Sequence, residues 1–171
     1  MNHFEFYDLP MKFFLDEMEL KQHYFAKSKE FHPDFYRGND NEYERALEKS
    51  SQNNAAYKAL KTFTNRVEYI LKEKGELSES KNSLNQSFLM EMMDVNEAII
   101  DLQMDFDALK ASNVISEVSQ QQEKLDFKIK RLATAFDDSQ DDAMLEEIKE
   151  IYLKQKYVLR LKESLNTFAP Q

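Results

Sequence analysis

Glycine and proline interrupt this chain at few points, Gly38 and Gly75, Pro10, Pro33 and Pro170, and neither occurs between Glu76 and Ala169. Both residues oppose helix propagation, proline by lacking an N–H and glycine through its backbone entropy. A long stretch free of both and rich in Leu, Met, Glu, Gln and Lys predicts long helices. The residues before Gly75 are expected to break into shorter pieces.

In that first part, Leu9-Pro10 ends a first element. A helix is predicted from about Asp16 to Phe31, with Leu20, Tyr24 and Phe31 on its buried side. Pro33 disfavours helix at His32 and stops it there. Gly38, Asn39, Asp40 and Asn41 supply turn residues. A second helix from about Asn41 carries Tyr43, Leu47, Ser50, Asn54, Tyr57 and Lys61 on one stripe. Its apolar members, with Ala46 and Leu60 beside them, are expected to face the preceding helix. The pair forms an antiparallel hairpin with His32-Pro33-Asp34 at its tip. A short helix from about Asn65 to Lys74 follows, with Gly75 as its C-terminal cap.

The polar run from Glu76 to Asn85 is the linker candidate, and the expected division is 1–75, a linker at 76–84, and 85–171. Three amphipathic segments lie beyond it. Leu84, Phe88, Met92, Val95, Ile99, Leu102, Phe106 and Leu109 follow one another in steps of three and four, a helical seam. Val114, Val118, Leu125, Ile129, Leu132 and Phe136 form the second. Leu145, Ile148, Tyr152, Leu159 and Leu165 form the third, and the polar run at 137–142 separates these two as a solvated turn that caps a helix. The fold class is all-α, and the second part is an up-down-up three-helix bundle.

Charge narrows the function. Formal net charge is −9, which makes nucleic acid and anionic membranes poor partners. Residues 1–75 hold 12 Lys and Arg against 13 Asp and Glu, whereas 76–171 hold 11 against 19, so the two parts are expected to meet different surfaces. There is no cysteine, which excludes disulfides and thiolate metal sites built by this chain. His3, His23 and His32 show no HxxxH or HExxH spacing and are read as surface histidines; no cofactor or metal is expected. A Gly-rich phosphate loop and a nucleophile elbow are both missing, so the chain is not expected to be an enzyme. MNHFEFYDLP lacks the basic and apolar regions of a secretory signal, and no apolar run reaches membrane-spanning length. A cytoplasmic location is expected, with the mitochondrial matrix open to a processed mature chain.

His-Pro-Asp alone is a weak signal, but it lies between two amphipathic helices and precedes NNAAYKALKTFTNRVEYIL. That combination resembles the J domain, the module that binds DnaK-type chaperone ATPases and stimulates their hydrolysis of ATP. Tyr24, Phe31, Asn54, Ala56, Tyr57 and Leu60 stand where that pattern has its aromatic, Asn, Ala and Leu residues. FEFYDLPMKFFLDEMELKQHYFAKSKEFHPDF, NRVEYILKEKG and FLMEMMDVNEAI further resemble the HscB family, J-type cochaperones of iron–sulfur cluster assembly, over almost the whole chain. The resemblance implies that His32, Pro33 and Asp34, with Lys21, Lys27 and Lys29, meet the chaperone. Pro33 fixes one backbone angle at the tip, and the Asp34 carboxylate can accept a bidentate Arg from a partner. Phe35 stands where many general J domains have Lys or Arg, and the basic face is thin. No Gly/Phe-rich segment or cysteine zinc module is present, unlike general J proteins.

Leu89, Met93, Ile100 and Met104 fall on a second stripe beside the seam, with Met90, Asp94, Glu97 and Asp101 along its outer side. Periodicity leaves two readings open: a wide arc buried against two neighbours, or an exposed strip for a partner with an apolar centre and a basic rim. The HscB resemblance implies the second, with Leu89, Met90, Met93, Asp94, Glu97, Asp101 and, more weakly, Tyr152 holding the cluster scaffold protein IscU. The expected function is a cochaperone that stimulates a DnaK- or HscA-type ATPase and delivers IscU to it. The alternatives are a J-domain cochaperone with a different client, or a structural helical protein with no ATPase partner.

Overall fold

The computed structural model describes residues 1–78 and 83–168. The described residues form helices, turns and loops, with no strand. The chain divides into two compact units, Met1–Gly75 and Glu76–Gln171. Part of the expected linker, residues 79–82, lies outside the described residues. None of the described helices is long and apolar enough to cross a membrane.

The first unit holds α1 (His3–Phe6), α2 (Glu17–Glu30), a 3-10 turn (Pro33–Tyr36), α3 (Asp40–Leu60) and α4 (Phe63–Glu73). Each start is capped by a short polar side chain that takes up free N–H groups: Asn2 for α1, Asp16 for α2, Asn39 for α3 and Thr62 for α4. Helix α4 ends at Gly75, whose φ of +73° is the left-handed conformation that closes a helix. Phe4, Tyr7, Phe13, Leu20, Leu60 and Ile70 lie at the centre of this unit's core.

The expected contact stripe of α3 is turned by about one residue, or roughly 100°. Ala46, Asn53, Ala56 and Leu60 face inward, while Tyr43 and Leu47 remain 37% and 45% exposed. The small side chains let α2 and α3 approach closely, which larger residues would prevent. Tyr57 stays half-buried, its ring stacked on Tyr24 with centroids 4.3 Å apart.

Asn53, 1% exposed, joins three elements. The Tyr7 hydroxyl donates to its Oδ1 at 2.7 Å, and its Nδ2 donates to the Tyr24 carbonyl at 3.0 Å and to Ser28 Oγ at 2.9 Å. Burial, and after it the neighbouring Tyr24 and Tyr57, pushes the Tyr7 phenol well above its ordinary range, so it stays protonated as a donor. Asn53→Ala is expected to destabilise the first unit by about 1–3 kcal/mol, the cost of stranding buried polar groups. The exposed Asn54→Ala should stay within about 0.5 kcal/mol. Chemical denaturation of the two variants checks this.

The second unit holds α5 (Gln86–Glu91), α6 (Met93–Met104), α7 (Ala108–Ser139), a short 3-10 turn (Asp142–Met144) and α8 (Leu145–Phe168). Backbone bonds from Met92 to Phe88 and from Asn96 to Met92 carry α5 into α6. Cross-links give the topology. Asn96 and Gln103 on α6 reach Tyr157 and Ser164 on α8, so those helices run parallel; Asp126 and Gln122 on α7 reach Gln155 and Lys162, so α7 runs against α8. The bundle is up-down-up.

Three positions depart from the expected seams. Phe106 and Leu109 are 54% and 74% exposed. Asp105 is extended and Asp107 caps a new helix, so the phase of Phe88, Met92, Val95, Ile99 and Leu102 does not carry past the turn. On α8, Leu159 is 48% exposed; Val158 and Leu161 carry the core stripe instead. In the polar run 137–142, α7 continues to Ser139, Gln140 takes the left-handed conformation, and Asp141 caps the next turn.

Candidate protein-binding surfaces

The first surface is the tip between α2 and α3. His32 is extended, as the residue before a proline must be, and accepts from the Asp34 N–H through Nδ1 at 3.3 Å. Pro33 opens the 3-10 turn, where its missing N–H costs nothing. His32 and Asp34 are exposed. The Tyr36 hydroxyl donates to the Glu30 carbonyl at 2.9 Å and ties the turn to the end of α2. Arg37, a residue that motif reading passes over, donates to Asp34 Oδ1 at 2.6 Å. Both partners are exposed, so the pair is weak and leaves Asp34 open to a stronger cation.

The lysines divide. Lys21 and Lys29 are exposed, and Lys29 joins Phe25, Ser28, His32, Asp34 and Phe35 around a shallow groove at the tip. Lys27 does not share that face, which corrects the expectation of one basic side. It lies ~120° round α2 from Lys21 at about 100° per residue, with Nζ 4.9 Å from the Phe6 ring centre and 5.7 Å from that of Phe31. Phe25 and Phe35, 58% and 69% exposed, make the groove more apolar than cationic. Phe25 went unnoticed in the sequence because an aromatic at helical spacing reads as core.

The histidines stand apart: His3 on α1, His23 on α2 beside Glu19, and His32 at the tip. His3 stacks on Tyr69, and burial lowers its pKa despite an opposing pull from Glu73. Among the described residues no group of three His, Cys, Asp or Glu is placed to hold a metal.

The second surface lies along α5 and α6. Met90 and Met93 are 67% and 56% exposed; Leu89, Ile100 and Met104 are exposed beside them. Asp94, Glu97 and Asp101 are exposed on the outer flank, and Lys110 pairs with Asp101 at 2.9 Å. This resolves the two readings of the stripe: it is outside the core. Within this unit the helix is an edge element on the longer α7–α8 pair, and among the unit's described residues no further helix covers its outer arc. Tyr152 does not belong to this surface. It is 3% exposed within α8, a core aromatic where the resemblance implied a contact residue.

Comparison with known proteins places these surfaces in context. The family description HSCB C-terminal oligomerisation domain matches residues 84–166. The Co-chaperone protein HscB of Buchnera aphidicola is 30% identical over 175 aligned positions, covering 100% of this chain and 99% of that protein. A Co-chaperone protein HscB homolog of Vibrio campbellii is 38% identical over 105 positions, covering 60% of this chain and 61% of that one. Among solved structures, Chaperone HscB from Vibrio cholerae matches with a TM-score of 0.76 at 26% identity, over 97% of this chain and 96% of the other. Human co-chaperone protein HscB matches with a TM-score of 0.74 at 28% identity, over 98% and 81%. With its all-helical fold of J domain and helical bundle, and with a relative aligned from end to end, the chain belongs to the HscB family of co-chaperones.

Proposed function

We propose that this chain stimulates a DnaK- or HscA-type chaperone ATPase through the His32-Pro33-Asp34 tip and delivers the iron–sulfur scaffold protein IscU to it. The observation that supports the reading is that a member of this family exposes a His-Pro-Asp turn on one compact unit and an apolar strip flanked by acids on the other. Asp34 offers a carboxylate for a partner guanidinium, a charge-assisted and geometrically specific bond. Lys21 and Lys29 add positive charge, and Phe25 and Phe35 add apolar contact. On the bundle, Leu89, Met90 and Met93 provide adaptable apolar contact, and Asp94, Glu97 and Asp101 set orientation and salt dependence. The ATPase performs the chemistry, and the scaffold carries the cluster. Holding both partners on one chain raises their effective concentration toward each other.

The decisive measurement is ATP hydrolysis by the chaperone with this chain, with purified scaffold, and with both. Stimulation by the chain, increased further by the scaffold, supports the reading. Stimulation that ignores the scaffold points to a different client, and none at all removes the J-type role. A fragment ending at Gly75 is expected to fold alone, because its core is made within that unit. It should stimulate weakly and gain nothing from the scaffold. Circular dichroism and the same assay check both points.

A further inference from the structure

Lys27, which stands apart from the groove at the tip, belongs to a second cluster of cations on the first unit. Its ammonium and that of Lys49 both lie over the ring of Phe6, 4.9 and 6.0 Å from the centre, one reaching in from α2 and the other from α3. Phe6 is buried, and Phe31 leans on it with ring centres 6.5 Å apart. Beside this aromatic pair lies an open groove of about 200 Å³. Phe31, Tyr36 and Ala46 line it, together with Arg45 and Lys49, one turn apart on α3. Lys27, Arg45 and Lys49 form no ion pair among the described residues, and Glu42, the acid in the lining, pairs with none of them.

Other lysines of this unit also lack a carboxylate, Lys58 and Lys61 among them, but those are exposed to water. Lys27 and Lys49 are half-buried and converge on one ring. Water screens them less there, and two like charges drawn to the same ring repel each other. An aromatic face stabilises each cation but carries no net charge to neutralise it. A carboxylate beside both removes the repulsion and accepts charge-assisted hydrogen bonds. We propose that this groove holds an acidic segment of a partner protein, with one apolar side chain in the hollow and neighbouring carboxylates on Lys27, Arg45 and Lys49. The pairing of an apolar hollow with cations selects that occupant, because a free phosphate would meet the cations and leave the hollow empty. The first unit is nearly balanced in charge, 12 Lys and Arg against 13 Asp and Glu, so its field does not repel a short acidic segment as that of residues 76–171 would. Neither His32 nor Asp34 lines the groove, and Lys27 lies ~120° round α2 from Lys21. The site uses no residue of the proposed chaperone contact and stands or falls apart from it.

The probe is an acetylated, fluorescein-labelled peptide with one leucine flanked on each side by glutamates, and its anisotropy is read with the full chain at low ionic strength. Lys27→Met with Lys49→Met keeps the aliphatic stems over Phe6 and removes the charges; binding should fall by about tenfold or more. Arg45→Gln, at an exposed position, should weaken binding in the same direction even where the methionine pair disturbs Phe6. Glu42→Gln should strengthen it by about twofold, since it removes the acid from the lining. Lys58→Met with Lys61→Met takes the same charge from elsewhere on the unit and should change binding by less than about twofold. Asp34→Asn should leave it unchanged, and serine in place of the probe's leucine should weaken it. Circular dichroism checks that each variant is folded. A wild-type chain that binds no probe at about 1 mM overturns the proposal. Equal losses in the two lysine pairs also overturn it, since they show diffuse attraction. So does a probe that binds as well with serine and is displaced by inorganic phosphate, or one released by Asp34→Asn, which places it at the tip.

Discussion

Asp34→Asn and His32→Gln are each expected to abolish stimulation of the chaperone ATPase while leaving the fold intact. The argument for lost function is electrostatic. A carboxylate that accepts a guanidinium across an interface leaves that cation buried and unpaired when it becomes an amide, at a cost of about 2–5 kcal/mol, or roughly 30-fold to several thousandfold in affinity. His32 acts differently. Its Nδ1 accepts the Asp34 N–H, so its replacement changes both the ring presented to the partner and the bond that shapes the turn. The argument for retained stability is local. Both residues are exposed, their bonds stay within the turn, and the Tyr36 hydroxyl anchors that turn independently. Melting should move by less than the equivalent of about 0.5 kcal/mol. Arg37→Ala is the control: it frees Asp34 from its present partner and should leave stimulation unchanged or raise it. Single-turnover hydrolysis and thermal melts on all three variants decide the matter, and stimulation that survives in both Asp34→Asn and His32→Gln sinks the assignment.

The second large effect sits on the bundle, where three methionines in four positions have opposite expected roles. Met90 and Met93 are exposed, whereas Met92 is 1% exposed in the seam. Met90→Ala with Met93→Ala should leave stability within about 1 kcal/mol in total, as surface changes do. The same pair should cost about 2–4 kcal/mol of scaffold binding, if the two contribute as central apolar contacts usually do. Met92→Ala should do the reverse, losing about 2–5 kcal/mol of stability through the cavity it leaves. Calorimetric titration with the scaffold and denaturation of each variant separate the outcomes. Unchanged binding with unchanged stability in the double variant removes the scaffold assignment from this strip, and the J-type reading of the first unit survives.

Much of this was legible in the sequence because helices announce themselves through spacing and breakers. The breaker-free stretch became α5 to α8, and Pro33 and Gly75 ended helices where their chemistry requires. What spacing does not state is which arc of a helix meets a neighbour. On α3 the larger residues drew attention to Tyr43 and Leu47, while Ala46 and Asn53 made the contact because smallness allows closeness. Phe106 continued the seam numerically across a turn that reset it. Tyr152 and Leu159 both belonged to an apolar pattern, yet one is core and the other surface. At the tip, the motif identified His32 and Asp34, but Arg37 and Phe25 emerge only when the turn and α2 are seen together.

The amide of Asn53 has a consequence beyond stability. Apolar faces tolerate sliding, since one methyl contact replaces another at little cost. Directional bonds do not, and a shift of α2 along α3 would break those from Asn53 to Tyr24 and Ser28 together. The two arms of the hairpin are therefore locked lengthwise, and the tip is held in shape before any partner arrives. Little freedom remains for docking to remove, so more of each contact's energy is retained as affinity. A loosened hairpin would present the same side chains and bind more weakly, with nothing at the contact surface altered.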